Sequence, residues 1–119
     1  APHSVDERAK PITEAPSGII GLETSLSLGI TSLVKPGHLS IVELMKKMSL
    51  NPAVIYGLDK GTLNVGKDAD LVIFDMDQCW TPKTYYSKAV NTPFTGMELT
   101  GLVCMTICGG EIAFKNSLS

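Results

Sequence analysis

The chain has 119 residues, 44% of them hydrophobic and 18% charged; the first figure is near the globular average and the second below it. Ten Lys and Arg against twelve Asp and Glu give a net charge of −2, which excludes a strong basic field for nucleic acid. No apolar run approaches the ~20 residues that span a bilayer, and the polar stretch Ala1 to Arg8 lacks the apolar core of a signal peptide.

In chain order, Pro2, Pro11 and Pro16 break any helix within residues 1–20, so a loop is predicted there. From Leu22 the spacing turns helical, with Leu22, Leu26, Ile30 and Leu33 on one stripe. Gly29 is expected to bend or end that helix. Lys35-Pro36-Gly37 signals a turn. Ser40 then reads as an N-cap with Glu43 three residues on, the capping-box pattern. Ile41, Leu44, Met45 and Met48 form the apolar stripe of this second helix. Lys46 and Lys47 are expected at its C-terminal end, where the helix dipole favours cations. Asn51-Pro52 starts a third short helix, with Gly57 as its C-cap.

Beyond Gly57 the periodicity changes. Asp70 to Asp75 reads as a strand bounded by acids. Leu102 to Cys108 and Glu111 to Lys115 read as two more, joined by the two-residue hairpin signal Gly109-Gly110. Tyr85 to Gly101 is less regular, and Pro93 forbids a central strand there. Helices fill the first half and strands the second, with a boundary near residues 57–60. Neither half has enough elements to bury a core on all sides. Ala1 opens the chain and the first methionine is Met45, so either a preceding segment has been removed or the sequence is an excerpt of a longer one, and the second is expected.

Few residues suggest chemistry by themselves. Cys79, Cys104 and Cys108 lack paired metal-ligand spacing and are expected to be buried or half-buried reduced thiols. His38 is expected at the surface or in a cap. Asp6, Glu7 and Arg8 read as a solvated charge cluster. Asp68 and Asp70 resemble paired catalytic carboxylates, but the turn before the strand explains them better. Glu23 is expected within a helix, with no local partner for acid–base work. Gly61-x4-Gly66-Lys67 fails as a phosphate loop, because Asp68 stands where Ser or Thr is needed and a strand follows.

Four segments carry a family resemblance. They are Ala1-Pro2-His3, the run Ala15-Pro16-Ser17-Gly18-Ile19-Ile20-Gly21-Leu22-Glu23-Thr24, Met48 to Ala53 around Asn51-Pro52, and Gly61-Thr62 through Gly66 to Asp75. Ser87 to Phe94 adds to them. Together they resemble the C-terminal part of a dihydroorotase of the amidohydrolase superfamily, over nearly the whole chain. The Asp68-Ala69-Asp70-Leu71 stretch is superfamily-wide, whereas the Ala-Pro-His and Ile-Gly-Leu-Glu-Thr segments are more specific.

The resemblance implies an α/β fold: the C-terminal portion of a (β/α)8 barrel, followed by strands of a small β-sandwich domain. Residues 1–57 would be the last loop and helices of the barrel, and residues 58–119 the small β domain. It implies a cytoplasmic, zinc-dependent parent that interconverts dihydroorotate and carbamoyl-aspartate in pyrimidine synthesis. The zinc ligands and the catalytic aspartate would all lie upstream of Ala1, so the chain alone is expected to be inactive. His3 would bind the substrate carboxylate, and the Ser17 and Gly18 backbone would meet the substrate. Its partners would be that small molecule, the rest of the barrel or another subunit, and further copies in a homo-oligomer, with neither nucleic acid nor membrane. Two alternatives stand beside this: a non-catalytic scaffold for an aspartate transcarbamoylase, and a related cyclic amidase such as a hydantoinase or allantoinase. Those amidases usually carry another residue where His3 stands.

Overall fold

In the structure, a computed structural model, residues 4–116 are described. Helix α1 (Val5–Arg8) lies where the prolines predicted only loop. Ser4-x-x-Glu7 is a capping box that nucleates it: Glu7 N–H donates to Ser4 Oγ at 3.2 Å, and Ser4 N–H donates to Glu7 Oε2 at 2.8 Å. Only Pro11 and Pro16 flank it on the C-terminal side, so nothing within the turn itself lacks a donor.

Helix α2 (Ser25–Gly29) follows Thr24 and runs directly into a π-helical turn, Ile30–Val34. The α-helical hydrogen bonding ends at Gly29, as expected, although the rod continues as the π-turn. Gly29 also permits close approach, because a Cβ there would stand 3.0 Å from both methyls of Leu44 on the next helix. Leu22 was expected on the apolar stripe; it lies before the helix and is 95% exposed. Ser40 caps α3 (Ile41–Met45) as expected, accepting from Glu43 N–H at 3.2 Å while Glu43 Oε2 accepts from Ser40 N–H at 2.7 Å.

The third predicted helix opens at Asn51-Pro52 as expected, but no break separates it from the second. Helix α3 passes through a π-helical turn, Lys46–Leu50, into α4 (Asn51–Tyr56) with helical dihedrals throughout. The cause is Pro52, which cannot donate to a carbonyl four residues back and crowds it. The wider π-turn accommodates this, and Asn51 N–H reaches back five residues to the Lys46 carbonyl. Lys46 and Lys47 consequently sit mid-rod and not at a helix end. Gly57, at φ +64°, ends the rod in the left-handed conformation expected of it.

Strands β1 (Leu71–Trp80), β2 (Leu99–Cys108) and β3 (Glu111–Lys115) form one antiparallel sheet in the order β1-β2-β3. The β2–β3 turn is Gly109-Gly110, both at positive φ, as the tightest hairpin requires. Strand β1 runs past Asp75 because a bulge intervenes. Asp75 pairs with Leu102 and Cys79 with Thr100, leaving Met76, Asp77 and Gln78 opposite Gly101 alone. The Asp75 carboxylate closes the bulge by accepting from Asp77 N–H at 2.8 Å and Gln78 N–H at 3.0 Å.

The helices pack on this sheet at Gly101. Ile30 and Leu99 have no exposed surface. Gly101 has φ +97°, and a Cβ on it would lie 2.5 Å from Ile30 Cδ1. Polar groups flank the contact. The buried Ser27 hydroxyl donates to the Gly101 carbonyl at 2.5 Å, and Trp80 Nε1–H is shared between Ser27 Oγ at 2.9 Å and that carbonyl at 3.1 Å. Thr100 N–H donates to Thr31 Oγ1 at 2.9 Å. The result is a small α/β unit whose radius of gyration, 16.4 Å, exceeds the about 13.5 Å expected for a compact chain of this length.

Replacing Gly101 by Ala is expected to destabilise the chain by about 2 kcal/mol, through backbone strain and overpacking against Ile30. Gly21→Ala, where an added methyl meets open space, should stay within about 0.5 kcal/mol. Urea denaturation followed by Trp80 fluorescence checks both.

Candidate functional site

Ser17 and Gly18 lie exposed in an extended stretch after Pro16. Gly18 has φ +106°, and no atom lies within 4 Å of where its Cβ would be. This is open backbone of the kind a ligand can approach, held from the other side. Asn91 Nδ2–H donates to the Gly18 carbonyl at 2.8 Å, and Ile20 N–H donates to the Asn91 carbonyl at 3.1 Å.

At the far end of the same stretch stands Glu23. Its carboxylate accepts from two successive backbone amides, Tyr86 N–H on Oε2 and Ser87 N–H on Oε1, both at 3.0 Å. Glu23 precedes the helix, contrary to the expectation of a helical residue, and its two partners are distant backbone amides and not local groups for acid–base work. The partner loop is itself ordered. Tyr85 Oη and Thr95 Oγ1 share a hydrogen bond of 2.8 Å, Ser87 Oγ accepts from Ala89 N–H at 3.2 Å, and Ala89 is buried. A hollow of about 480 Å³ lies along this seam, lined by residues 19–24 and 85–87. A second, of about 760 Å³, opens beside it between Trp80, Tyr85, Tyr86 and Phe114. Tyr86 and Phe114 meet edge to face, 6.0 Å between ring centroids.

His3 lies outside the described residues. His38 is exposed and its backbone N–H closes the helix end on Leu33. Asp68 and Asp70 are not an acid–base pair: Lys60 Nζ bridges them, 2.6 Å from an oxygen of each. Asp70 also accepts from Gly109 N–H at 2.8 Å, tying the chain after α4 to the hairpin. Lys67 pairs with Asp59 beside them. All three cysteines are free, but Cys79 and Cys108 are exposed and only Cys104 is half-buried, because the bulge and the hairpin end leave the first two uncovered.

Among the described residues, no three His, Cys, Asp or Glu side chains come together as a metal group. The donor set of the described residues does not fit a zinc centre. Among the same residues no helix is long and apolar enough to cross a membrane.

Comparison with known proteins identifies the class. The model of the amidohydrolase family matches residues 12–113, and the chain belongs to that family. It is 53% identical over 115 residues to the dihydroorotase of Clostridioides difficile, covering 97% of this chain and 27% of that one. It is 52% identical over 118 residues to the dihydroorotase of Streptococcus pyogenes serotype M3, covering 98% and 28%. Among solved structures, the L-hydantoinase (dihydropyrimidinase) of Arthrobacter aurescens is 36% identical with a TM-score of 0.74, over 87% of this chain and 24% of that chain. The D-hydantoinase (dihydropyrimidinase) of a Thermus species is 29% identical with a TM-score of 0.86, over 96% and 26%. The chain thus spans about a quarter of the length of these relatives.

Several acidic groups here bind protons less readily than usual. The Lys60 ammonium, then the Gly109 amide, hold Asp70 below the ordinary carboxylate value of 3.8. Lys67 does the same for Asp59, and the Asp77 and Gln78 amides for Asp75. The unfolded chain therefore takes up more protons in acid. The stability these groups contribute is complete above the ordinary value and is lost as pH falls through the lowered folded values. The urea midpoint is expected to fall below about pH 4. In Asp70→Asn that fall should be shallower, while the midpoint at pH 7 is lower than in the unaltered chain.

Proposed function

We propose that this chain is the C-terminal part of a dihydroorotase, a cytoplasmic enzyme that opens dihydroorotate to N-carbamoyl-aspartate and closes it again. The observation that carries the reading is the 52–53% identity with two dihydroorotases over 97–98% of the chain. Identity with the hydantoinases is 36% and 29%, which speaks for dihydroorotate over a hydantoin as substrate. In this reading residues 1–57 are the last loop and helices of a (β/α)8 barrel, and residues 58–119 supply strands of a small β-sandwich. Exposed apolar side chains support it: Val54, Ile55 and Tyr56 at the end of α4, and Leu63 and Val65 after it, would be covered by the rest of such a protein.

In the same reading Ser17 and Gly18 offer backbone groups to the substrate, and His3 offers an N–H to its carboxylate. Open space around Gly18 supports the first assignment, since a side chain there would stand between backbone and ligand. The zinc ligands and the proton-transferring aspartate come from the preceding part of the enzyme, so no step of the reaction is performed by this chain alone.

A fusion tests this. The N-terminal three quarters of the Clostridioides difficile enzyme, joined to this chain in place of its own last quarter, is expected to open dihydroorotate in a zinc-dependent way. This chain alone with added zinc should show no turnover. A folded, zinc-loaded fusion that opens a hydantoin but not dihydroorotate would overturn the substrate assignment, and one inert towards both would favour a scaffold.

A further inference from the structure

The segment that carries Ser17 and Gly18 is not held by its own neighbours. It is held by a loop some 63–73 residues further along the chain. The bonds form a two-rail arrangement of antiparallel sense: Gly18 and Ile20 are tied to Asn91, and Glu23 to Tyr86 and Ser87. One rail end is a side-chain amide and the other a carboxylate. The carboxylate has both oxygens committed to consecutive N–H groups. This fixes the plane of the side chain as well as its position, and each bond is charge-assisted. Between these two ends the backbone of residues 18–23 has little freedom to shift.

We propose that Glu23 and Asn91 are positioning residues for substrate binding. They act through Ser17 and Gly18 and do not touch the substrate. The inference rests on the reading that Ser17 and Gly18 line the substrate pocket of a dihydroorotase. Small displacements of a binding loop are costly because the entropic benefit of a preset geometry is lost. Loosening the clasp should therefore weaken binding and leave the chemical step, performed by groups outside this chain, nearly as fast as before.

The full-length fusion is the material for the test. In Glu23→Ala, hydrogen exchange in the peptide containing Tyr86 and Ser87 should accelerate at least about tenfold, because both amides lose their acceptor. KM for dihydroorotate should rise about tenfold in Glu23→Ala and in Asn91→Ala, with kcat within about threefold. Glu23→Asp, which keeps both oxygens on a shorter stem, should fall between these and the unaltered protein. Glu23→Gln keeps the volume and one acceptor oxygen; it serves if the alanine variant does not fold, and should raise KM about threefold. Gly18→Ala is the control for the pocket itself. If Gly18→Ala raises KM while the Glu23 and Asn91 variants leave it unchanged, the positioning role is overturned and the pocket stands. If exchange at Tyr86 and Ser87 is unaltered, the clasp is overturned. If none of the variants, Gly18→Ala included, changes KM, the pocket reading fails and the positioning role falls with it. Loss of kcat at constant KM would also refute it.

Discussion

The seating of Ile30 on the bare backbone of Gly101 is the contact on which the rest of this structure depends. A fully buried isoleucine contributes about 2–3 kcal/mol relative to an exposed one. Here that burial requires the absence of a side chain on the opposite strand, because a Cβ would stand 2.5 Å from Ile30 Cδ1. The same residue supplies the carbonyl that Ser27 and Trp80 share. Apolar contact and polar satisfaction thus meet at one backbone position, where buried hydrogen-bonding groups would be costly if left unpaired. The bulge in β1 lies opposite this same residue.

The candidate site follows from that packing. With α2 docked on β2, the stretch leading into the helix is carried alongside the loop that connects β1 to β2. Glu23 and Asn91 then join the two stretches at either end. The site is a seam between segments distant in sequence, and the hollows of about 480 and 760 Å³ lie along it. The helix-to-strand connection is secured separately, by Lys60 between Asp68 and Asp70 and by Asp70 on the Gly109 amide. Carboxylates that a reader of sequence would suspect of catalysis are structural ties, whereas the carboxylate that reads as an ordinary helical residue holds the candidate site together.

Local chemistry made much of this legible in the sequence. The Ser40–Glu43 capping box, the Gly57 cap, the Gly109-Gly110 hairpin and β3 all depend on residues within a few positions of one another, and each lies where the sequence places it, whereas β1 extends to Trp80 and β2 begins at Leu99, each longer than the sequence indicates. Departures have local causes too. The Ser4–Glu7 box forms a helical turn despite the nearby prolines, and a π-turn before Pro52 leaves α4 continuous with α3. Family membership was legible because the quoted motifs are themselves local strings, and the amidohydrolase match over residues 12–113 agrees with them.

The sequence by itself determined the turns, the caps, the strand order of the hairpin and the family, because these are set by backbone dihedrals and hydrogen bonds between near neighbours. Tertiary structure alone decided that Gly29 is a contact point for Leu44, that Gly101 receives Ile30, and that Glu23 clasps Tyr86 and Ser87. Each of those roles belongs to a pair separated by 15 to 71 positions in the chain, as the Gly29–Leu44 and Ile30–Gly101 contacts and the 63–64-residue span of the Glu23 bonds illustrate. No local propensity encodes which distant partner a buried face or a carboxylate will meet. That choice is made when the apolar surfaces of helix and sheet come together and bring their polar neighbours with them.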